Sequence, residues 1–170
     1  MSLLSRYYDE LSVGERMVTR GRTVTETDVV MWCSLTGDMF RLHTDRHYAQ
    51  TTMFGQRIAP GLLINALMAG LGVPPDSEAI LANYGTDELR FTAPTFLGDT
   101  VHLEAEVLEK RERRAGRDGI VTLQWNAVNQ NRRTVMTSRL MCLMAMRPQP
   151  AKKTTAKKPA RRKTGTKART

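Results

Sequence analysis

The sequence is poor in cysteine, in aromatic residues and in long apolar runs. Its 170 residues include two cysteines, Cys33 and Cys142, and aromatic residues make up 6% of the chain. Two cysteines are too few for a disulfide framework or a four-cysteine zinc site, and their scarcity is typical of a reducing compartment. No run reaches 18 consecutive apolar residues, and the N-terminal segment lacks the apolar stretch of a signal peptide. The sequence therefore predicts a soluble, cytoplasmic protein without a transmembrane segment.

Acidic residues are absent from the C-terminal part of the chain. Residues 148–170 contain nine Lys or Arg residues and no Asp or Glu. They also contain no aromatic or bulky aliphatic residue, so they cannot bury enough apolar surface to offset the entropy lost on ordering. We therefore predict a folded domain over residues 1–147 and a disordered Lys/Arg-rich tail over residues 148–170.

The net charge of +9 belongs to this tail. Residues 1–147 contain 17 basic and 17 acidic residues, so the predicted domain is formally neutral. The high isoelectric point consequently says nothing about what the domain binds. For the tail we consider two interpretations: weak, non-specific binding to a polyanion such as nucleic acid or an anionic membrane surface, or a solvated segment with no dedicated partner.

Helix and strand patterns follow one another in a definite order along residues 15–146. A strand pattern over Glu15–Val24 precedes a helix that is capped by Thr25 and ends near Gly37, and Thr44 is the expected N-cap of a short second helix. An apolar helix begins after Pro60 and closes at Gly72. Four strand patterns follow, at Ile80–Phe91, Val101–Val107, Val121–Ala127 and Val135–Met146. This order predicts an α+β fold in which an antiparallel sheet of about five strands wraps around the long central helix.

Two stretches of this sequence resemble the MaoC-like dehydratases, the hotdog-fold group that includes (R)-specific enoyl-CoA hydratases. Residues Ser34–Asp45, continuing through Tyr48 and Ala49 to Phe54–Gly61, are similar to the family signature S-x-T-G-D-x-N-P-x-H-x-D…A…F-G-x-x-I-A-x-G. Residues Leu89–Val101 are similar to its strand-turn-strand segment. The resemblance covers roughly residues 7–147 and implies a hotdog fold, a homodimer or larger homo-oligomer, and a CoA thioester as substrate with no cofactor.

The same resemblance implies a catalytic site made of Asp38, His43 and Gly61. Hydration of an α,β-enoyl thioester needs a group that takes a proton from water, a group that delivers one to Cα, and a donor for the enolate oxygen. A carboxylate and an imidazole that share one water can perform the two proton transfers. Because Pro60 has no N–H, the backbone N–H of Gly61 is the first free donor of the helix.

Each of these assignments has a structural alternative. Asp38 follows Gly37 and is turn-prone, so it is equally suited to closing a turn. His43 is equally consistent with an ordinary, partly buried histidine. Gly61 is equally suited to close packing at the start of the helix. His43, Asp45 and His47 alternate as metal ligands sometimes do, but a helix starting at Thr44 would separate the two imidazoles, so we predict no metal.

The sequence departs from the family signature between the two proposed catalytic residues. Phe40-Arg41 stands where the family has Asn-Pro, which removes a fixed backbone angle and a hydrogen-bonding side chain. Arg41 is expected either to pair with Asp38 or Asp45, or to bind a second carboxylate on a dicarboxylic acyl-CoA. Arg57, Arg90 and Arg139 are possible contacts for the CoA phosphates.

The prediction is therefore an acyl-CoA hydratase or dehydratase, that is, a hydro-lyase. A hotdog thioesterase is the first alternative, although Gly61–Leu71 contains no acidic residue to activate water and Asn65 is its single polar candidate. A non-catalytic hotdog subunit that binds acyl thioesters is the second alternative, and it is motivated by the Phe40-Arg41 substitution.

Overall fold

The fold is an antiparallel sheet with helices on one side, seen in a computed structural model that describes residues 2–148. Apart from Pro148, the predicted tail lies outside these described residues. The strands are β1 Arg16–Val18, β2 Arg22–Thr23, β3 Ile80–Phe91, β4 Thr100–Arg114, β5 Asp118–Asn129 and β6 Thr134–Ala145. The helices are α1 Glu26–Thr36, α2 Arg41–Thr44, α3 Arg46–Gln50 and α4 Gly61–Gly72, and they are preceded by two 3₁₀ turns, Leu3–Ser5 and Tyr8–Glu10.

The sheet is antiparallel throughout, with strand order β1-β4-β5-β6-β3 and β2 pairing with β4 beyond the end of β1. The alternation of apolar and polar residues in β4 and β5 places Val101, Leu103, Ala105 and Val107 on the inner face, opposite Trp125 and its neighbours on β5. The predicted α+β hotdog architecture is confirmed, with a two-residue sixth strand added to the predicted five.

Helix α4 packs on the inner face of the sheet, against β4, β5 and β6. It begins directly after Pro60 and ends at Gly72, as its Pro and Gly punctuation predicts. One face of the helix is buried, through Leu63, Ile64, Leu67 and Met68. The opposite face, which includes Leu62, is exposed in the single chain, so the sheet covers one face of the helix and leaves the other open.

Two strand boundaries differ from the sequence prediction. The single first strand is two short strands, and β4 extends beyond Val107 to Arg114, so that a tight turn at 115–117 joins it to β5. In the part of the chain that the structure describes, no helix has the length and apolar character needed to cross a membrane.

Candidate active site

His43 lies in the short helix α2 and is held by one hydrogen bond from its ring. The Nδ1 atom is 2.8 Å from the carbonyl oxygen of Ile58. Because a carbonyl can only accept, Nδ1 must carry the proton, and in the neutral ring Nε2 is then left with a free lone pair. The side chain is 12% exposed. Ile58 thereby fixes both the tautomer and the orientation of the imidazole.

Asp38 approaches the His43 ring at Nε2, the nitrogen that does not bind the Ile58 carbonyl. Helix α1 ends at Gly37, whose φ of 76° is in the left-handed region that favours glycine and whose N–H donates to Cys33 O at 2.9 Å. This turn places an Asp38 carboxylate oxygen 4.0 Å from His43 Nε2, and the Asp38 side chain is 42% exposed. The distance is too long for a direct hydrogen bond but allows both groups to contact one small polar molecule. The structure thus brings these two predicted residues together.

The Asp38 carboxylate also acts on the buried Cys33 thiol. Burial raises the pKa of the Cys33 thiol, and the negative charge of Asp38 raises it further. The carboxylate accepts a hydrogen bond of 3.4 Å from the backbone N–H of Phe40, which closes the short loop between α1 and α2. The loop therefore holds a charged carboxylate at the edge of the site, with solvent on one side and a buried thiol on the other.

A pocket of about 150 Å³ opens beside His43. It is lined by residues from α2, the segment before α4, α4 itself, and the ends of β3 and β6; these are His43, Ile58, Ala59, Gly61, Ile64, Phe91, Ala93, Pro94, Thr95 and Val135. His43 is the one titratable side chain in this lining. The lining does not include Asp38, which approaches His43 from outside the pocket.

Gly61 brings a free backbone donor to the same pocket. It is the first residue of α4, and among the described residues its N–H donates no hydrogen bond. The start of an α-helix carries partial positive charge, so this N–H is suited to an anionic oxygen. The third predicted site residue therefore lies with His43 around one cavity.

The close approach of Phe91 to Gly61 adds a packing role for this glycine. A Cβ atom added at Gly61 would lie 2.7 Å from the Phe91 ring, closer than any real contact. The packing alternative for Gly61 is thus supported by geometry, and it coexists with the free N–H. Phe91 is 48% exposed and closes one side of the pocket.

The Phe40-Arg41 pair has two separate structural roles. The Phe40 ring meets the His43 ring edge to face, with centroids 5.7 Å apart and an interplanar angle of 81°. Arg41 pairs with Asp45 at 2.9 Å and stacks over Tyr48 at 4.3 Å. Of the partners expected for Arg41, Asp45 is therefore the one it contacts, and the residue is not among those lining the pocket.

The arginines expected near the CoA phosphates are largely engaged elsewhere. Arg57 pairs with Glu26 at 2.8 Å and its guanidinium is 3.5 Å from the His43 carbonyl oxygen, so it ties α1 to the His43 helix. Its hydrogen bond lowers the pKa of Glu26. Arg139 pairs with Glu88 at 3.0 Å, and Arg90 donates to the Leu89 carbonyl oxygen.

Comparison with known proteins places this site in a family. The family model described as "MaoC like domain" matches residues 10–129 of the chain. The chain belongs to the MaoC-like family. Protein MaoC of Klebsiella aerogenes is 37% identical over 98 residues, covering 58% of this chain and 29% of that protein. A protein named (R)-specific enoyl-CoA hydratase, from Rhodospirillum rubrum, is 35% identical over 101 residues, covering 58% of this chain and 67% of that protein.

The fold agrees with this membership. A Mycobacterium tuberculosis protein described as having a double hotdog fold matches with a TM-score of 0.73 and 22% sequence identity, covering 95% of this chain and 54% of that one. The chain spans less than a third of the Klebsiella protein, so the MaoC-like domain corresponds to one part of that longer relative. The family match includes Asp38, His43, Gly61 and Phe91, whereas Val135 lies beyond it.

Sequence reasoning on this MaoC-like domain missed part of the site. Asp45, not Thr44, is the N-cap of α3, because its carboxylate accepts the Tyr48 N–H at 2.9 Å. This hydrogen bond and Arg41 hold the pKa of Asp45 below its usual range. Within residues 2–148, no three His, Cys, Asp or Glu side chains form a group suited to a metal ion.

Phe91 and Val135 are the other residues that were missed. They reach the MaoC-like site because β3 and β6 are neighbours in the sheet, with Thr92 N–H donating to Val135 O at 3.0 Å. Phe91 lies in Leu89–Val101, the second segment that resembles the family, and its position before Thr92-Ala93-Pro94 was the signal that could have found it. For Val135 no local signal existed, because it comes from a strand 74 positions after Gly61.

Proposed function

We propose that this chain is an acyl-thioester hydratase or dehydratase, a hydro-lyase acting across the α,β double bond of an enoyl thioester. The observation that carries this proposal is the arrangement around His43. Ile58 fixes Nδ1, Asp38 approaches Nε2 to 4.0 Å, and a cavity with a free Gly61 N–H lies beside the ring. The names of relatives such as (R)-specific enoyl-CoA hydratase and 3-hydroxybutyryl-CoA dehydratase support the same reaction class.

In the hydration direction the acid/base pair consists of Asp38 and His43. The oxygen of a water molecule forms a bond to Cβ, while one proton of that water passes to the pair. The π electrons of the double bond move onto the thioester carbonyl, and the pair returns a proton to Cα. The protonation of the pair is unchanged over the cycle, and dehydration follows the same steps in reverse. Nε2 is the ring atom through which His43 transfers protons, because Nδ1 is bound to the Ile58 carbonyl.

The Gly61 N–H is the proposed donor to the thioester oxygen. Negative charge develops on this oxygen as the enolate forms, and a preorganised backbone donor at a helix start stabilises that charge without reorganising. A Cβ at this position would lie 2.7 Å from the Phe91 ring, so a larger residue would force that ring to move. Glycine therefore suits both the present packing and access to the N–H.

The pocket supports a short, apolar acyl group as substrate. A cavity of about 150 Å³ accommodates a group the size of benzene, which corresponds to a chain of roughly four to six carbons. No Lys or Arg side chain lines it, so the second carboxylate of a dicarboxylic acyl group would lose its solvation without an arginine or lysine partner. We therefore favour monocarboxylic enoyl thioesters, carried by CoA or by an acyl carrier protein.

A second copy of the chain is the proposed partner. Strand β3 is the last strand of the sheet, pairs on one side with β6, and is exposed along most of its length. Exposed apolar side chains of α4 and β3 adjoin this edge; they are Leu62, Leu81, Tyr84 and Phe91. An unprotected edge strand beside an apolar surface favours pairing with another strand, and a homodimer would cover both. Light scattering at micromolar concentration tests this, since a fully active monomer would contradict it.

We place the activity in the cytoplasm. Both cysteines are free and buried in the structure, and burial raises the pKa of Cys142 to about 11, so this thiol stays protonated at neutral pH. Such unpaired thiols suit a reducing compartment.

The decisive experiment uses crotonyl-CoA as substrate and follows two signals at once, the enoyl-thioester absorbance and the release of free thiol. Loss of the enoyl-thioester absorbance without release of free thiol indicates hydration, while thiol release indicates the alternative thioesterase. A lack of both with mono- and dicarboxylic enoyl-CoAs would support the non-catalytic subunit. The thioesterase is disfavoured by α4, which presents no carboxylate, its most polar residue being the half-buried Asn65.

A further inference from the structure

Helix α2, which carries His43, is a single turn that does not hold its own position. It has four residues, and the side chain of its N-cap residue Phe40 makes no capping hydrogen bond. A helix of one turn fixes more backbone angles than its hydrogen bonds repay, so contacts with neighbouring segments must hold it in place. The position of His43 relative to Asp38 is therefore set by residues outside α2.

Two consecutive residues, Arg57 and Ile58, hold α2 at three points. The carbonyl oxygen of Ile58 accepts a hydrogen bond from His43 Nδ1 at 2.8 Å, and the Ile58 N–H donates to Leu42 O at 3.4 Å. The Arg57 guanidinium donates to the carbonyl oxygen of His43 at 3.5 Å. His43 is thus held at its ring by Ile58 and at its backbone by Arg57.

Arg57 is itself held in one orientation by Glu26. Its Nη1 atom donates to Glu26 Oε1 at 2.8 Å, its Nη2 atom donates to Oε2, and its side chain is 16% exposed. A guanidinium that binds both oxygens of a carboxylate is fixed in direction as well as in distance. These hydrogen bonds lower the pKa of Glu26 and raise that of Arg57, so both groups are charged at neutral pH.

The pair connects the two helices that present the acid/base groups. Glu26 is the first of the 11 residues of α1, and Asp38 follows Gly37 at the end of the same helix. An α-helix of this length is a stiff rod of about 16 Å, so holding its start constrains where its end lies. Arg57 thereby joins the helix that presents Asp38 to the helix that presents His43.

Arg57 makes this connection from outside the pocket. It is not among the residues that line the pocket beside His43, and it lies in a separate surface depression. The family signature leaves this position unspecified, between Gly55 and Ile58. An effect of Arg57 on the reaction must therefore run through His43 and Asp38 rather than through contact with the acyl group.

We propose that Arg57 is a positioning residue for the acid/base pair. It sets the separation of His43 Nε2 from the Asp38 carboxylate, 4.0 Å in this structure, by fastening the His43 backbone to the start of α1. This role rests on the proposed hydratase function, because it assigns to Arg57 an effect on proton transfer by the pair. Reacting groups lose rate steeply with misalignment, about 10²-fold for a displacement of about 1 Å.

The first test is steady-state kinetics of the full-length chain with crotonyl-CoA. Arg57→Gln should lower kcat by about 10- to 10²-fold and leave KM within about twofold, because alignment of the pair matters in the transition state. Arg57→Lys keeps the charge but loses the two-pronged geometry, so it should recover part of this loss. The matched control is Arg113→Gln, since Arg113 makes a similar two-pronged pair with Asp118 outside the pocket lining. It should lower thermal stability and leave kcat unchanged.

The second test observes the imidazole directly and needs no substrate. The chain has three histidines, so after labelling with ¹⁵N-histidine the His43 signals are identified by their absence from the spectrum of His43→Gln. At about pH 9, where imidazole rings are neutral, wild type should show His43 protonated at Nδ1, the tautomer that the Ile58 carbonyl selects. Arg57→Gln should show a mixture of the two tautomers, and Arg113→Gln should not.

The outcomes separate this role from the proposed function. A wild-type kcat in Arg57→Gln, an unchanged tautomer, or an equal loss of kcat in Arg113→Gln would overturn the positioning role. A higher KM for crotonyl-CoA but not for crotonyl-pantetheine, which lacks phosphate groups, with kcat unchanged, would make Arg57 a phosphate contact and overturn it as well. If wild type did not hydrate crotonyl-CoA, the hydratase function would fail, while a tautomer shift in Arg57→Gln would still support placement of His43 by Arg57.

Discussion

The two ends of the sheet differ in whether their charged side chains are held by specific partners. Beside the pocket, three groups are held by specific partners: the His43 ring binds a carbonyl, Arg57 pairs with Glu26, and Arg41 pairs with Asp45. At the β4-β5 hairpin, Arg111, Arg114 and Arg117, here called the hairpin arginines, are exposed and form no ion pair among the described residues. The first arrangement orients individual atoms, and the second creates a diffuse positive field.

This difference indicates how each end should respond to substitution. A preorganised site depends on a few atoms, so removal of one group there has a large effect on rate. A diffuse field is the sum of many weak contacts, so each arginine contributes a modest, salt-dependent part. Changes at one end should leave the property of the other end intact.

The largest effect is expected from substitution of the acid/base pair. Asp38→Asn and His43→Gln should each lower kcat with crotonyl-CoA by at least ~10², the scale of a positioned acid or base. Steady-state kinetics measure this, with circular dichroism to confirm the fold. A near wild-type rate in either single variant would refute the assignment of that residue.

The hairpin variant provides the reciprocal control. R111Q/R114Q/R117Q should keep the wild-type kcat and KM for crotonyl-CoA, because none of the three residues lines the pocket. A loss of activity comparable to that of His43→Gln would show that the two ends are coupled, which the paired charges at the pocket end argue against.

The next effect concerns the Gly61 N–H. A Cβ at Gly61 would clash with Phe91, so the test is made in a Phe91→Ala background that removes the ring. There, Gly61→Ala and Gly61→Pro both add a Cβ, but only Pro removes the N–H, and Pro is well tolerated at the first position of a helix. The Pro variant should have a kcat about 10²-fold below the Ala variant, the value for loss of one oxyanion donor. Equal rates would mean that Gly61 serves packing and that its N–H does not act as the oxyanion donor.

The sequence allowed much of the fold to be predicted because its signals are local. Pro60 and Gly72 bound α4, and alternation in β5 and the apolar run of β6 define these strands to within three residues. The extension of β4 to Arg114 was missed since its charged residues do not alternate. Backbone pairing holds that part of the strand, with Arg111 opposite Ile120 on β5. Propensity carries no information about such a cross-strand partner.

The candidate site could be predicted in part for the same reason. Asp38, His43 and Gly61 lie within 24 positions and were found through a family signature. Phe91 and Val135 join them only through the register of β3 on β6, which local patterns do not specify. The hairpin arginines were hidden because a sum of charges over residues 1–147 averages a local excess with acidic residues elsewhere.

A smaller effect is expected from opening the pocket. Phe91→Ala should raise kcat/KM for octenoyl-CoA relative to crotonyl-CoA by about tenfold, since contact with one or two methylene groups in an apolar pocket is worth about this much. Tyr84→Ala is the matched control, because Tyr84 is an exposed aromatic residue on the same strand outside the pocket lining. An unchanged ratio in Phe91→Ala, or an equal change in Tyr84→Ala, would show that Phe91 does not limit the acyl chain.

The smallest effect is expected at the hairpin, from Asp118→Asn. The Arg113 hydrogen bond lowers the pKa of Asp118, so the carboxylate stabilises the fold above its unfolded pKa of about 4 and loses this contribution as pH falls through the lower folded value. The variant should therefore melt at a lower temperature than wild type at pH 7, and the difference should shrink on acidification below pH ~4. A melting-temperature difference that stays constant through this range would show that the Asp118 side chain stabilises the fold by its packing rather than by its charge.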